Sequence, residues 1–306
     1  MKKVTIAFLL SITSVLVFPQ NKVNFLKAED TLKVLGKIIL NGETDFIKYN
    51  ANEKFLTILE SAIISDKSFD YPFDSLITIA RLTSEDKKLR IFDWNLRKSD
   101  GTYDYFGFIQ AWSSDENKYV IYPLKDNSDN IKNPETQILE PLNWYGALYY
   151  KIIFNKFGGK KYYTLLGWDG NNNITKKKII DVIVFNSKDK PVFGAPIFKY
   201  NKKTQKRIIF EYNGTVSMSL KYDKQFMLHG KKKRKMIVFD RISPLDPQLE
   251  GVYQYYYPET NIFDAFIFRN GKWNFLKDVD ARNNETKEEK EHRKEIIKDQ
   301  EKHTKH

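Results

Sequence analysis

The stretch that decides the fold is LRIFDWNLRKSDGTYDYFGFIQAWSSDENKYVIYP, residues 89–123. It contains three runs rich in Ile, Val, Phe, Tyr and Trp, near 89–95, 103–112 and 118–123, separated by short polar segments. Runs of this composition are typical of β-strands, and segments of Gly, Ser, Asp and Asn are typical of turns. The stretch therefore predicts consecutive antiparallel strands.

The same pattern continues towards the C-terminus. Further strands are predicted near 146–155, 161–167, 178–185, 192–200, 206–212, 216–222, 236–241, 252–257, 263–269 and 272–276. Their close spacing leaves no room for the crossover helices that parallel strands need. The dipeptides Asp169-Gly170, Asn213-Gly214 and Asn270-Gly271 are typical of hairpin turns. The expected fold is mainly β (α+β), an antiparallel meander that forms a sandwich, an irregular barrel or a propeller-like array.

The residues before this pattern have a different periodicity. Apolar side chains between residues 28 and 65 recur at helical spacing, with Gly42 between two such runs. The expected organisation is a signal peptide at 1–20, an N-terminal helical segment at 21–88, an antiparallel β domain at 89–280 and a charged helical or disordered tail at 281–306. Any internal boundary of the β domain is expected near 124–143, a segment that contains prolines.

The N-terminus has the layout of a secretory signal. Lys2 and Lys3 precede the uncharged, mostly apolar run from Val4 to Phe18. This run is shorter than the roughly 20 residues with which a helix crosses a bilayer, and a basic start followed by a short apolar run is typical of a removable signal peptide. We expect a periplasmic or secreted protein without a transmembrane segment once the signal is removed.

Two residue types limit the chemistry. The chain has no cysteine, which excludes disulfides and thiolate zinc sites. Of its four histidines only His229 precedes the charged tail, so a Ser-His-Asp or Cys-His hydrolase has almost no candidate base. We therefore assign no catalytic residue, no metal ligand and no cofactor.

The chain is basic, with a formal net charge of +12. Part of this charge lies in a run that includes Lys231, Lys232 and Lys233. Such a run is suited to nucleic acid or another anionic polymer, such as one of the cell envelope. The alternative is a solvated hairpin turn.

Aromatic residues provide the other candidate binding surface. Trp94, Trp112, Trp144, Trp168 and Tyr256 offer flat rings on which a glycan or a peptide could stack, and Asp169 follows Trp168 in a polar loop. The alternative is that most of these rings belong to the core.

Carboxylates are the remaining candidates for catalysis. Glycoside hydrolysis needs two of them across a cleft. The candidates that lie in or beside aromatic strands are Asp93, Asp104, Asp169, Glu211, Asp240 and Asp264. The alternative is that each faces water or pairs with an arginine such as Arg207 or Arg241.

Several motifs resemble those of a known group of sequences. The stretches SFDYPFDSL (68–76), LRIFDWN (89–95), YYTLLGWDG (162–170), VFGAPIF (192–198) and DAF (264–266) resemble a group of uncharacterised secreted proteins of Bacteroidetes-type Gram-negative bacteria. The resemblance covers roughly residues 68–280 and implies an envelope or extracellular location. The group has no established activity, so the resemblance assigns no catalytic residue. We expect an exported binding or structural component of the cell envelope. The alternative is a carboxylate-dependent hydrolase acting on carbohydrate.

Overall fold

The computed structural model describes residues 24–65, 67–226 and 233–279. The helices in this part are α1 (Phe25–Asn41) and α2 (Asp45–Ile63). The strands are β1 (Ala80–Thr83), β2 (Leu89–Arg97), β3 (Tyr103–Ser113), β4 (Lys118–Lys125), β5 (Leu148–Phe157), β6 (Lys160–Asp169), β7 (Thr175–Phe185), β8 (Pro191–Phe193), β9 (Phe198–Tyr200), β10 (Lys203–Gln205), β11 (Ile208–Asn213), β12 (Leu220–Phe226), β13 (Lys233–Pro244), β14 (Tyr256–Arg269) and β15 (Lys272–Leu276). The mainly β fold with an N-terminal helical segment is confirmed.

The strands form three sheets. The first sheet has the order β1-β2-β3-β4, and the second has the order β11-β7-β6-β5 with β8 beside β7. The third sheet has the order β10-β9-β15-β14-β13-β12. Neighbouring strands are antiparallel except β15 and β9, which are parallel. Each sheet is built around a run of consecutive strands, so the predicted antiparallel meander is confirmed.

The helices begin at side-chain caps. The Asn24 side chain accepts a hydrogen bond from the backbone N–H of Lys27 at 3.1 Å, and Thr44 caps α2 in the same way. These caps satisfy backbone donors that have no partner within the helix. Buried residues of the two helices, such as Leu32 and Phe55, then pack against one face of the first sheet.

The layers follow from the alternation of side chains along the strands. On β2, Phe92 and Trp94 face the helices, while Leu89 and Ile91 face the second sheet. The second sheet in turn packs against the third, where Trp273 is fully buried. The stacked order is therefore helices, first sheet, second sheet and third sheet, which is the sandwich among the expected arrangements.

Some local expectations were wrong. The predicted strand 192–200 is interrupted at Gly194, whose φ of 91° suits glycine and whose N–H donates to the Val182 carbonyl at 2.7 Å. The interruption places β8 in the second sheet and β9 in the third. Asn213-Gly214 does not form a hairpin either, because it joins β11 of the second sheet to β12 of the third.

Other differences concern short segments. β1 and β10 lie where no strand was predicted, and both are short edge strands with little buried apolar surface. The predicted strand 252–257 begins with a 3-10 turn at Tyr253–Tyr255. The proline-containing segment 124–143 packs on the second sheet, because the backbone groups of Leu139 and Phe193 exchange hydrogen bonds of 2.9 and 2.8 Å.

Candidate functional site

An open cleft lies between the first and second sheets, with a volume of about 720 Å³. Ligand pockets commonly have volumes of roughly 300–1,000 Å³. Its charged lining residues are Asp100, Asp104, Asp126, Asp129, Asp169, Lys98, Lys125 and Lys177. We call it the acidic cleft, because five carboxylates line it against three ammonium groups.

Tyr105 of β3 connects two of these carboxylates. Its backbone N–H donates to Asp126 Oδ2 at 3.2 Å, and its hydroxyl donates to Asp169 Oδ1 at 2.8 Å. The same hydroxyl accepts a hydrogen bond from the backbone N–H of Gly170 at 2.8 Å. Burial and the neighbouring Asp169 raise the pKa of Tyr105. The phenol therefore stays neutral and acts as a fixed hydrogen-bond donor.

Asp126 directly follows β4, and its carboxylate fixes the backbone at the start of the 124–143 segment. Its Oδ1 accepts hydrogen bonds from the backbone N–H and the hydroxyl of Ser128, at 3.0 and 2.6 Å, and from the Gly146 N–H at 3.2 Å. A Cβ at Gly146 would lie 2.5 Å from the Asp126 carboxyl carbon, so only glycine permits this approach. Burial raises the pKa of Asp126, although these donors favour the ionised form.

Lys177 of β7 closes the cleft on the side of the second sheet. Its Nζ lies 3.5 Å from Asp169 Oδ2 and donates to Asn171 Oδ1 at 2.9 Å and to the Tyr145 hydroxyl at 3.2 Å. Burial alone would lower the pKa of Lys177, but Tyr145, Asp169 and Glu211 outweigh it, so its pKa is raised. The ammonium group therefore remains charged and fixes the positions of its acceptors.

The four candidate tryptophans do not form one surface. Trp94 and Trp144 are buried, and their indole N–H groups donate to Asn52 at 2.7 Å and to Tyr149 at 3.1 Å. These two candidates belong to the core, as the alternative held. Trp168 is half-buried beside the acidic cleft, and Trp112 is half-buried in a different cleft.

The remaining candidate binding residues are separated in the same way. Asp169 lines the acidic cleft. Tyr256 lies in the third sheet, where its hydroxyl accepts a hydrogen bond from the Gly251 N–H at 2.9 Å. Lys231, Lys232 and His229 lie outside the described residues, as do the predicted signal at 1–20 and the tail at 281–306. Lys233 is the first residue of β13.

Of the six candidate carboxylates, Asp104 and Asp169 line the acidic cleft. Asp93 is fully buried, and Asp264 pairs with Arg241 at 2.5 Å, as the alternative held. Sequence reasoning missed Asp126, because it lies in a loop and not on an aromatic strand. The polar run from Asp126 to Asn130 was the signal that pointed to it.

Within the described ranges, no group of three or more His, Cys, Asp or Glu side chains is placed to hold a metal ion. In that same part of the chain, neither helix has the length and apolar character that a bilayer crossing requires. No protein-family model matches the chain, and searches among curated proteins and solved structures found no similar protein.

Proposed function

We propose that the chain is an exported binding protein whose acidic cleft holds a neutral, hydroxyl-rich ligand, a glycan. The observation that carries this proposal is the set of fixed polar groups around Tyr105. Hydroxyl groups both donate and accept, so a ligand rich in them can pair with carboxylates, amides, phenols and ammonium groups together.

The charge of the cleft supports a neutral ligand. Five aspartates and three lysines give its lining a formal charge of −2. A lining of this sign repels anionic ligands. Uronic acids and phosphorylated sugars are therefore disfavoured, whereas neutral sugars and amino sugars are compatible.

Aromatic rings at the edge of the cleft support the same ligand class. Tyr103 lines the cleft, and its ring packs edge-to-face on Trp168 with a centroid separation of 5.5 Å. Rings that are held in this way offer apolar area at a low entropic cost. The apolar face of a sugar ring could pack on them while its hydroxyls reach the carboxylates.

The test is a glycan array followed by calorimetry with the protein lacking residues 1–20. Asp129 is exposed in the cleft, so Asp129→Asn should weaken binding by about tenfold with little effect on stability. Asp115→Asn is the matched control, because Asp115 is exposed in the turn between β3 and β4. Equal affinities of both variants for the glycan, or no glycan binding at all, would remove this proposal.

A carboxylate-dependent hydrolase is the second candidate, and Asp126 favours it. A carboxyl group with a raised pKa is suited to act as a general acid, and Asp126 shares the cleft with Asp104 and Asp169. Release of reducing ends from the bound glycan would support hydrolysis if Asp169→Asn abolished it while the melting temperature stayed close to wild type. Binding without product release supports the binding protein.

Export and polymer binding need separate tests. Mass spectrometry of the protein from the periplasm or medium should show an N-terminus near residue 20, and an intact N-terminus would contradict export through a cleaved signal. Retention on heparin should fall in the triple variant Lys231→Glu, Lys232→Glu, Lys233→Glu. Unchanged elution would end the anionic-polymer hypothesis.

A further inference from the structure

A second cleft lies where all three sheets meet, with a volume of about 760 Å³. Lys88 directly precedes β2 and Trp112 lies on β3, both in the first sheet. Residues 160–163 come from β6 of the second sheet, and Lys272 comes from β15 of the third sheet. We call it the basic cleft. It shares no lining residue with the acidic cleft.

The lining of the basic cleft is positively charged. Its lysines are Lys88, Lys160, Lys161 and Lys272, and its single lining carboxylate is Asp189, which gives a formal charge of +3. Asp189 is already engaged, since its Oδ2 accepts a hydrogen bond from the Ser114 N–H at 3.3 Å. Lys161 is also paired with Asp86, which lies outside the lining, so the positive charge of the four lysines is only partly compensated.

Neighbouring groups hold three of the lysines in place. Lys88 Nζ lies 4.1 Å from the centre of the Trp112 ring, and the backbone of Trp112 donates to the Lys88 carbonyl at 2.9 Å. Lys161 Nζ lies 3.0 Å from Asp86 Oδ2, and Lys272 donates to the Pro196 carbonyl. Fixed ammonium groups lose less side-chain entropy when an anion binds.

The rest of the lining is largely apolar. Val184 and Phe185 of β7 contribute to it, as do Ala195 and Ile197 from the connection between β8 and β9. Trp112 is half-buried and adds a ring at one side. A charged group alone would leave the half-buried Val184, Phe185 and Trp112 in contact with water, so a ligand that combines charge with an apolar body fits the cleft better.

We propose that the basic cleft binds a small organic anion in which a phosphate group is attached to an aromatic or other apolar ring. The lysines pair with the phosphate, and the ring packs against Phe185 and the indole of Trp112, which are both half-buried. This ligand is anionic, whereas the acidic cleft suits a neutral ligand, and the two clefts share no lining residue, so binding at one cleft is tested independently of the other.

The probe is phenyl phosphate, and its binding is measured by calorimetry and by the shift of the Trp112 indole N–H resonance. That resonance is assigned by its disappearance in the variant Trp112→Phe. We expect a dissociation constant below about 1 mM that weakens as the salt concentration rises. Inorganic phosphate and phenol each present half of the ligand and should bind at least about fivefold more weakly.

The variant is Lys160→Gln with Lys272→Gln, which should weaken phenyl phosphate binding about fivefold or more. Lys54→Gln on the exposed side of α2 is the matched control and should bind like wild type. Thermal melts confirm that the variants are folded. No binding of phenyl phosphate, unchanged affinity in the double variant, or equal affinity for inorganic phosphate would each overturn the proposal.

Vesicles of phosphatidylglycerol present a phosphate on a bilayer, so they distinguish binding of a soluble ligand from binding to a membrane surface. We expect no pelleting with these vesicles at physiological salt. Pelleting that phenyl phosphate reverses would mean that a membrane phosphate occupies the basic cleft, and would overturn the assignment of a small soluble ligand.

Discussion

The buried pair of Asp181 and Arg207 gives the sharpest stability prediction. Arg207 Nε lies 2.6 Å from Asp181 Oδ2, and both side chains are completely shielded from solvent in the second sheet. Arg207 also donates through Nη1 to the Pro134 carbonyl at 2.6 Å, which ties the 124–143 segment to the sheet. The ion pair therefore neutralises two buried charges and also fixes the 124–143 segment to the second sheet.

Replacing both partners should cost less than the two single replacements added together. Arg207→Met leaves an uncompensated buried carboxylate, which costs about 3–5 kcal/mol of unfolding free energy. At about 2–4 °C per kcal/mol for a chain of this size, the melting temperature should fall by about 6–20 °C. The double variant Arg207→Met with Asp181→Asn contains neither charge, so its loss should be smaller than the sum of the two single losses.

The pH dependence of the stability loss tests whether the unpaired Asp181 carboxylate causes it. Burial raises the pKa of Asp181, and Arg207 opposes this rise. A raised carboxyl pKa in the folded state means that stability is lost as the pH rises above the ordinary value of 3.8. Removing Arg207 raises the pKa of Asp181 further, so the loss in Arg207→Met should be larger near about pH 7 than near about pH 4.

The assay is urea unfolding of the wild type, both single variants and the double variant at the two pH values. Circular dichroism and tryptophan fluorescence should give coincident transitions if unfolding is two-state. Equal losses at both pH values, or a double variant as unstable as the sum of the single variants, would refute the reasoning.

Three further predictions concern single side chains. Asp93 Oδ2 accepts a hydrogen bond from the Tyr149 N–H at 2.6 Å, and burial raises the pKa of Asp93. Because the buried ionised form is unfavourable, Asp93→Asn should stabilise the protein more near neutral pH than near about pH 4, as measured by urea titration. Gly146→Ala should cost about 1–3 kcal/mol in the same assay, because the new Cβ meets the Asp126 carboxyl, and wild-type stability would contradict this close contact. Arg90 donates to the carbonyls of Tyr71 and Pro72 at 2.8 and 2.9 Å, so Arg90→Met should cost about 1–3 kcal/mol, and limited proteolysis should then cut within residues 67–73.

The central strands could be predicted because their composition depends on burial at both faces. β2 lies between the helices and the second sheet, so its residues 89–94 are all buried, and four of these six are apolar or aromatic. Edge strands lack this signal. β1 and β10 contain mainly half-exposed or exposed residues, and their positions are determined by pairing with β2 and β9.

Local sequence could not determine how the sheets divide the strands between them. Asn270-Gly271 and Asn213-Gly214 are the same kind of dipeptide, yet the first joins two paired strands and the second joins two sheets. The difference lies in the partners of the flanking strands, since β11 pairs with β7 and β12 pairs with β13. Those pairings depend on residues that are distant in sequence.

The two clefts could not be predicted from the sequence for the same reason. The acidic cleft combines Asp126 from a loop with Tyr105, Asp169 and Lys177 from strands of two sheets. The lysines of the basic cleft come from segments that belong to all three sheets. Sequence reasoning identified Trp112 and Asp169 as single candidates, but it had no means of placing them in two clefts of opposite charge.

The stacking of sheets also changes what a raised pKa signifies in this protein. Because the inner sheets are covered on both faces, a carboxylate on one of their strands can be buried without any role in binding. Burial raises the pKa values of Asp93 and Asp181, and both side chains are fully shielded from solvent, where no ligand reaches them. Asp126 differs because its pKa is raised while it lines an open cleft. Access to the cleft, more than the direction of the pKa shift, therefore makes Asp126 the carboxyl group to test first for the proposed hydrolysis.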